Sequence, residues 1–353
     1  MTDRHADGII GLNLHSHLEG SIRPQTAVEL AAQMDIPTPS GGWDAALRMR
    51  EPGTLTTFLA HVAEAYPLFS TAEAVSRIVA EAVEDAGADG VAYLELRFGP
   101  ATHATGPMSI DEVIRAACDG LAEGTRRSGT PAGLIACALR HHDEVTNEEV
   151  GRAAANHAGR GIVGFDVAGD ELLHPSLKPM ERPFAIAAAA GLGLTAHAAE
   201  AGTAHHLRDA VERLGVRRVG HGIRAIDDHQ VVRWAAEEGV CFELCPTSNV
   251  LTGAVPSYAE HPIRAFLRAQ CDVVIGDDDP TTTGAPLSVE FANLVDRVGL
   301  SPEEVRRIHE TSVARVFCDD PTRSGLRRRI VGVIPDPTSA RDGQRGSTAG
   351  YTG

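Results

Sequence analysis

The chain has 353 residues, 43% of them hydrophobic and 23% charged, which suits one large globular domain or two small ones with ample apolar material for a core. Lys and Arg number 32 against 48 Asp and Glu, and the formal charge of −16 repels phosphate backbones, arguing against general nucleic-acid binding. No apolar run reaches the length of a membrane span and the opening MTDRHADGIIGLNLHSHLEG lacks the apolar stretch of a secretory signal, so cytoplasmic residence is the default expectation.

Short apolar runs alternate with helical stretches along the chain. Residues 9–14 read as a first strand. A long connection over 21–71 follows, carrying PTPSGG at 37–42 and then a helical, aromatic-bearing stretch through Phe58 and Phe69. Residues 72–86 repeat apolar positions at helical spacing and predict a helix ending at Gly87. The second strand is 91–96. Ser109 and Glu112 form a capping-box pattern at the start of the next helix. Strands three to eight are read at 132–139, 162–167, 192–196, 218–220, 240–244 and 272–276. Ser301 and Pro302 open a last helix with the same capping chemistry. Strands that alternate with helices pair in parallel, and eight such units predict an α/β fold, a single (β/α)8 TIM barrel. The 21–71 insertion leaves the carboxyl end of strand one, so it either covers the barrel mouth as a lid or substrate wall or serves only as packing. The tail, 335–353, is rich in Gly, Ser, Thr, Asp and Arg without periodicity; it is expected to be disordered, leaving 1–334 as the one domain. The six cysteines show no paired-motif spacing and read as free, buried thiols.

Chemistry concentrates at strand ends. His15 and His17 close the first strand, and side chains at i and i+2 share a face, so two imidazoles point at one spot. His197 follows the fifth strand, His221 the sixth, and Asp278 and Asp279 the eighth. Barrel enzymes place their reactive groups at this rim. Three imidazoles and a carboxylate with a position left for water suit a catalytic zinc ion, and such an ion brings water toward ionisation at neutral pH. Glu200 lies three residues past His197 and is placed as a proton donor; His221 can orient the hydroxide or take its proton. If the chain is extended there, Asp278 and Asp279 point in opposite directions, one to the metal and the other to the substrate. The other twelve histidines read as surface or helix positions, with His205 and His206 solvated; of them, His141 and His142 lie at the end of strand three, where they could join the site. Pro-Cys-x-x-Cys, His-Glu-x-x-His, Gly-x-x-x-x-Gly-Lys and Gly-x-Ser-x-Gly patterns are all missing from the sequence.

HSHLEGSIRP (15–24), GFDVAGDE (164–171), TAHAAEAG (195–202), RVGHG (218–222), CPTSNVLTGAV (245–255) and DDP (278–280) resemble the adenosine deaminase family, in family order over residues 9 to about 320. The resemblance implies one zinc ion per chain, or another divalent metal, held by His15, His17, His197 and Asp278. It implies that Glu200 protonates purine N1 while hydroxide attacks C6, that His221 positions and helps deprotonate the water, and that Asp279 contacts N7. The Gly169 backbone would contact N3 and Glu19 would sit at the sugar end. Asp278 thereby counts with Glu200 and His221 as catalytic, and His17 borders the substrate. The implied reaction is hydrolytic deamination of adenosine, or a close 6-aminopurine nucleoside, to inosine and ammonia; the implied partner is that small molecule. Two residues depart from the family pattern. Glu19 stands where members acting on adenosine usually have Asp, as looks typical of adenine deaminases, and Ala199 replaces a usual glycine, adding a methyl group at the mouth. Adenine or a modified 6-aminopurine is therefore the alternative substrate. A non-catalytic purine-binding barrel is a third reading; it requires loss of a ligand or the proton donor, and all five residues are present.

Overall fold

The computed structural model describes residues 9–331 except Thr105 and Pro107; the 335–353 tail lies outside the described residues. Eight strands, β1 (Gly11–His17), β2 (Val91–Phe98), β3 (Ala132–Leu139), β4 (Ile162–Ala168), β5 (Gly193–Ala198), β6 (Arg218–His221), β7 (Cys241–Leu244) and β8 (Asp272–Ile275), form one sheet in sequence order. Every neighbouring pair is parallel. The ring closes where Ser16 bridges Asp278: the Asp278 N–H donates to the His15 carbonyl at 3.0 Å and the His17 N–H to the Asp278 carbonyl at 2.6 Å. This is the (β/α)8 barrel expected from the alternation of strands and helices.

Closure depends on one small residue. A Cβ at Gly276 would stand 2.3 Å from the His15 carbonyl oxygen and 2.5 Å from its Cβ, so β8 reaches β1 only because no side chain intervenes. The strand ends differ modestly from the sequence reading. β1 runs on through His15 and His17, which places the two imidazoles on the strand itself. The second-layer helix does not stop at Gly87. It spans Ala72–Asp89 and ends at Gly90, whose left-handed φ of 92° turns the chain out, while Gly87 is the spot against which the Thr130 hydroxyl packs. Both expected capping boxes form, Ser109 with Glu112 and Ser301 with Glu304.

The long insertion is helical, with Pro24–Gln33, Trp43–Leu47, Leu55–Ala63 and a 3-10 turn at Tyr66–Phe69. The helix Leu55–Ala63, capped by the Thr54 hydroxyl, buries Phe58 and Val62 and lies along the barrel mouth.

Helices cover the outer face of the ring with apolar side chains, but its interior carries charge. Arg97, Arg218, Glu95, Asp166 and Glu243 are buried within strands. Arg97 donates to Asp166 at 2.9 Å and to Glu243 at 2.7 Å; Arg218 donates to Glu243 and pairs with Glu95, both at 2.7 Å. Both guanidinium groups also donate to the Leu14 carbonyl at 2.9 Å. These ion pairs form a floor directly beneath the rim.

Candidate metal centre and active site

The rim collects every side chain singled out at the strand ends. His15 Nε2 stands 3.3 Å from Asp278 Oδ1, His17 Nε2 stands 3.4 Å from the same oxygen, and the Nε2 atoms of His17 and His197 are 3.1 Å apart. Donors bonded to one ion at about 2.0–2.1 Å sit about 3.0–3.5 Å from each other, so these edges have the size of a coordination shell. His221 is set further back, its Nε2 3.8 Å from Glu200 and 4.0 Å from Asp278. His15, His197, His221 and Asp278 also keep one ligand atom each within 4.8 Å of all the others, so two overlapping donor sets share three members.

The chemistry of the donors fits a divalent metal. His15 Nδ1 faces Glu243 Oε2 at 2.7 Å, which holds the ring proton on that side. Its Nε2 is buried, has no hydrogen-bond partner, and turns its lone pair toward the Asp278 carboxylate. Asp166 Oδ2 stands 2.9 Å from His197 Nδ1, off the straight line of a good hydrogen bond, and again leaves Nε2 facing the cluster. Lone pairs that converge in a buried space repel one another until a cation lies between them. Carboxylates behind metal-binding imidazoles fix both tautomer and ring orientation. Burial pushes the Glu243 carboxyl up, but Arg218 and Arg97 outweigh it and hold Glu243 well below the usual carboxylate range, so this support stays ionised.

Backbone geometry at the rim is unusual. Ala199 (φ 52°), His221 (φ 56°) and Asp278 (φ 60°) are non-glycine residues in the left-handed region, each just past or at the end of a strand. Such strain concentrates at functional sites. It also corrects the expectation for the two carboxylates: the chain is not extended at Asp278, and both Asp278 and Asp279 face the same cavity.

That cavity, of about 370 Å³, is bordered by His17, Glu19, Gly169, His197, Glu200, His221, Asp278 and Asp279. Leu55, Phe58, Leu59 and Val62 from the insertion form its apolar wall, so the insertion is a wall of the site as well as a packing element. Burial, with Asp278 next in weight, pushes the Glu200 carboxyl well above its ordinary range in the metal-free chain, and the same two causes raise Asp279. Gly169 takes up φ 105° at the cavity edge. Glu19 is turned into the wall, where its Oε1 accepts from His103 Nε2 and the Gly99 N–H, both at 2.8 Å. Ala199, whose methyl group could either alter the backbone or crowd the substrate, is fully buried in the core, takes a left-handed φ of 52°, and is absent from the cavity lining.

Several functional contacts were not legible beforehand. Glu171, quoted in a motif but given no role, accepts from the backbone N–H groups of Ala199 and Ala201 at 2.9 and 2.7 Å and of Gly202 at 2.5 Å, fixing the loop that carries Glu200. Its other neighbour is His206 Nδ1 at 3.1 Å, so His206 is not simply solvated. Arg140 donates to the His197 carbonyl at 2.9 Å. His103, His157, His261 and His309, read as surface or helix positions, are buried; His103 stacks on Phe69 with ring centroids 4.3 Å apart. The signal available for the floor was the presence of Glu95, Arg97, Asp166 and Glu243 inside otherwise apolar runs. The cysteines are all free; Cys118 and Cys318 are half-buried and the other four buried. No helix among the described residues is long and apolar enough to cross a membrane.

The adenosine deaminase family model matches residues 12–333. An adenosine deaminase from Clostridium perfringens is 33% identical over 324 residues, covering 91% of this chain and 97% of that protein. The solved adenine deaminase from Arthrobacter aurescens superposes with a TM-score of 0.84 at 28% identity, covering 92% of this chain and 98% of that one. An amidohydrolase from Burkholderia ambifaria, solved with bound Zn, shares the fold at a TM-score of 0.84 and 23% identity, over 95% and 92% of the two chains. A sequence match over nearly the whole barrel, together with a metal-sized cluster at its rim, makes this chain a member of the adenosine deaminase family of hydrolytic deaminases.

Proposed function

We propose that the protein hydrolyses adenosine, or a close 6-aminopurine nucleoside, to the 6-oxopurine nucleoside and ammonia, with zinc held by His15, His17, His197 and Asp278. The observation that carries this reading is the pairing, in one cavity, of two buried carboxyls biased toward their protonated forms with the imidazole–carboxylate cluster. A purine offers lone pairs at N1, N3 and N7, so its recognition calls for three hydrogen-bond donors. Glu200 supplies the proton to N1, Asp279 donates to N7, and the Gly169 backbone faces N3. Zinc, when bound, supplies the acidity that makes water a nucleophile at neutral pH. His221 orients that water against C6, Asp278 and His17 border the reacting face, and the C6–N6 bond breaks as ammonia leaves. Leu55, Phe58 and Leu59 exclude bulk water above the ring. The cavity volume lies in the range of small-molecule sites, about 300–1,000 Å³.

A second reading, adenine deamination, rests on Glu19, whose longer side chain takes up space at the sugar end. The test is an ultraviolet assay of purified, metal-analysed protein with adenosine and adenine side by side. Turnover of adenosine with stoichiometric zinc is expected. Turnover of adenine alone selects the second reading, and no turnover of any 6-aminopurine overturns both.

A further inference from the structure

His221 does not stand alone behind the cluster. Its Nδ1 lies 3.1 Å from Asn249 Nδ2, Asn249 Oδ1 lies 3.1 Å from His261 Nε2, and His261 Nδ1 accepts from the Ile263 backbone N–H at 3.4 Å. All three side chains are buried, so water cannot substitute for a missing partner. We infer that Asn249 and His261 are positioning residues that lock His221 in the tautomer with its proton on Nε2, facing the reacting water as a hydrogen-bond donor.

The direction of the relay is set at its far end. A backbone N–H can only donate, so His261 Nδ1 must present a lone pair. Burial pushes the His261 imidazole down to about 3, so the ring is neutral and carries a single proton, which is then on Nε2. That N–H fixes which end of the Asn249 amide faces it: the oxygen accepts from His261 and the nitrogen donates to His221 Nδ1. His221 Nδ1 is thereby an acceptor, and its one remaining proton sits on Nε2. Reversing the amide would move the His261 proton to Nδ1, against the Ile263 N–H, leaving two donors face to face in a buried space.

Two consequences follow for the site, both resting on its reading as a deaminase centre. A neutral His221 has no lone pair at Nε2 with which to take a proton from water, so its resting task is to hold the nucleophile, not to deprotonate it. Nor can it bind metal through that atom. Of the two overlapping donor sets, the one containing His17 is therefore selected over the one containing His221.

The test uses protein labelled with 15N at histidine, with zinc content measured. The His221 signals are identified by their loss in His221→Gln. A pyridine-type Nδ1 and a pyrrole-type Nε2 on His221 are expected; the opposite pattern overturns the proposal, whether or not any substrate is turned over. Kinetics supply the second arm. Asn249→Leu and His261→Leu remove the direction of the relay and should lower kcat about tenfold or more, leaving KM and zinc content nearly unchanged. His261→Gln keeps an N–H at the Nε2 position and should restore most of the loss. Full kcat in the leucine variants, or a glutamine variant as impaired as leucine, overturns it. If the leucine variants fail to fold, the wild-type spectrum still decides. Failure of the wild type to deaminate any 6-aminopurine sinks the enzyme reading alone, because the tautomer is read without turnover.

Discussion

Glu200 reaches the cavity from a loop whose backbone N–H groups are gathered by Glu171, so the proposed proton donor is held by a carboxylate that lies outside the cavity lining. Glu200→Gln preserves shape and leaves the imidazoles and Asp278 intact. It should keep wild-type zinc content, measured by atomic emission, while kcat falls about a hundred- to ten-thousand-fold, the range of a lost general acid. Zinc loss in that variant would place Glu200 among the ligands instead. Glu19 poses a question of size. Its Oε1 serves both His103 and the Gly99 N–H, a span that Asp, one methylene shorter, does not reach while staying at the wall. Glu19→Asp should raise the ratio of kcat/KM for adenosine over adenine, and an unchanged ratio would remove Glu19 from the sugar end.

At the scale of elements, the junction of β8 with β1 matters most, because Asp278 bonds to the backbone of both His15 and His17 there. Gly276→Ala forces a methyl group against the His15 carbonyl. It should cost about 1–3 kcal/mol in urea unfolding and lower zinc occupancy together, since the same backbone shift that opens the barrel displaces a ligand. Much of this scale was readable in advance. All eight strands, their order and both capping boxes follow from apolar period and local hydrogen-bond chemistry, which act over a few neighbouring residues. That His15, His17, His197, His221 and Asp278 meet at one place was readable because strand ends of a barrel share one rim. What the sequence hid is set by contacts between distant segments. His261 could not be connected to His221 without the intervening turn of Asn249. Gly87 mimicked a helix stop although its role is to admit Thr130. The left-handed turns at Ala199, His221 and Asp278 break local preference, and only the surrounding fold imposes them.

Across the whole molecule, buried carboxyls make stability depend on pH. Glu290, behind β7, is raised by burial from 4.5 to about 8, and its oxygens accept from the Thr247 N–H at 3.1 and 3.3 Å. Between those two values the folded chain holds one proton more than the unfolded chain, so this group's contribution falls as pH rises through that window. Glu290→Gln keeps an acceptor for Thr247 and cannot ionise. Its urea midpoint should therefore gain on the wild type as pH rises from about 4.5 to about 8, and parallel midpoints would show that Glu290 is not the group responsible. The charged floor has a different consequence. Apolar replacements for a buried ion network often leave a protein as stable or more so. A barrel with aliphatic residues at 95, 97, 166, 218 and 243 would thus be expected to fold at least as tightly, while its rim imidazoles, with nothing to hold their proton side, would swivel and release their ion. Robustness and reactivity are governed here by layers only a few side chains apart, and a lineage could strengthen the one while silencing the other.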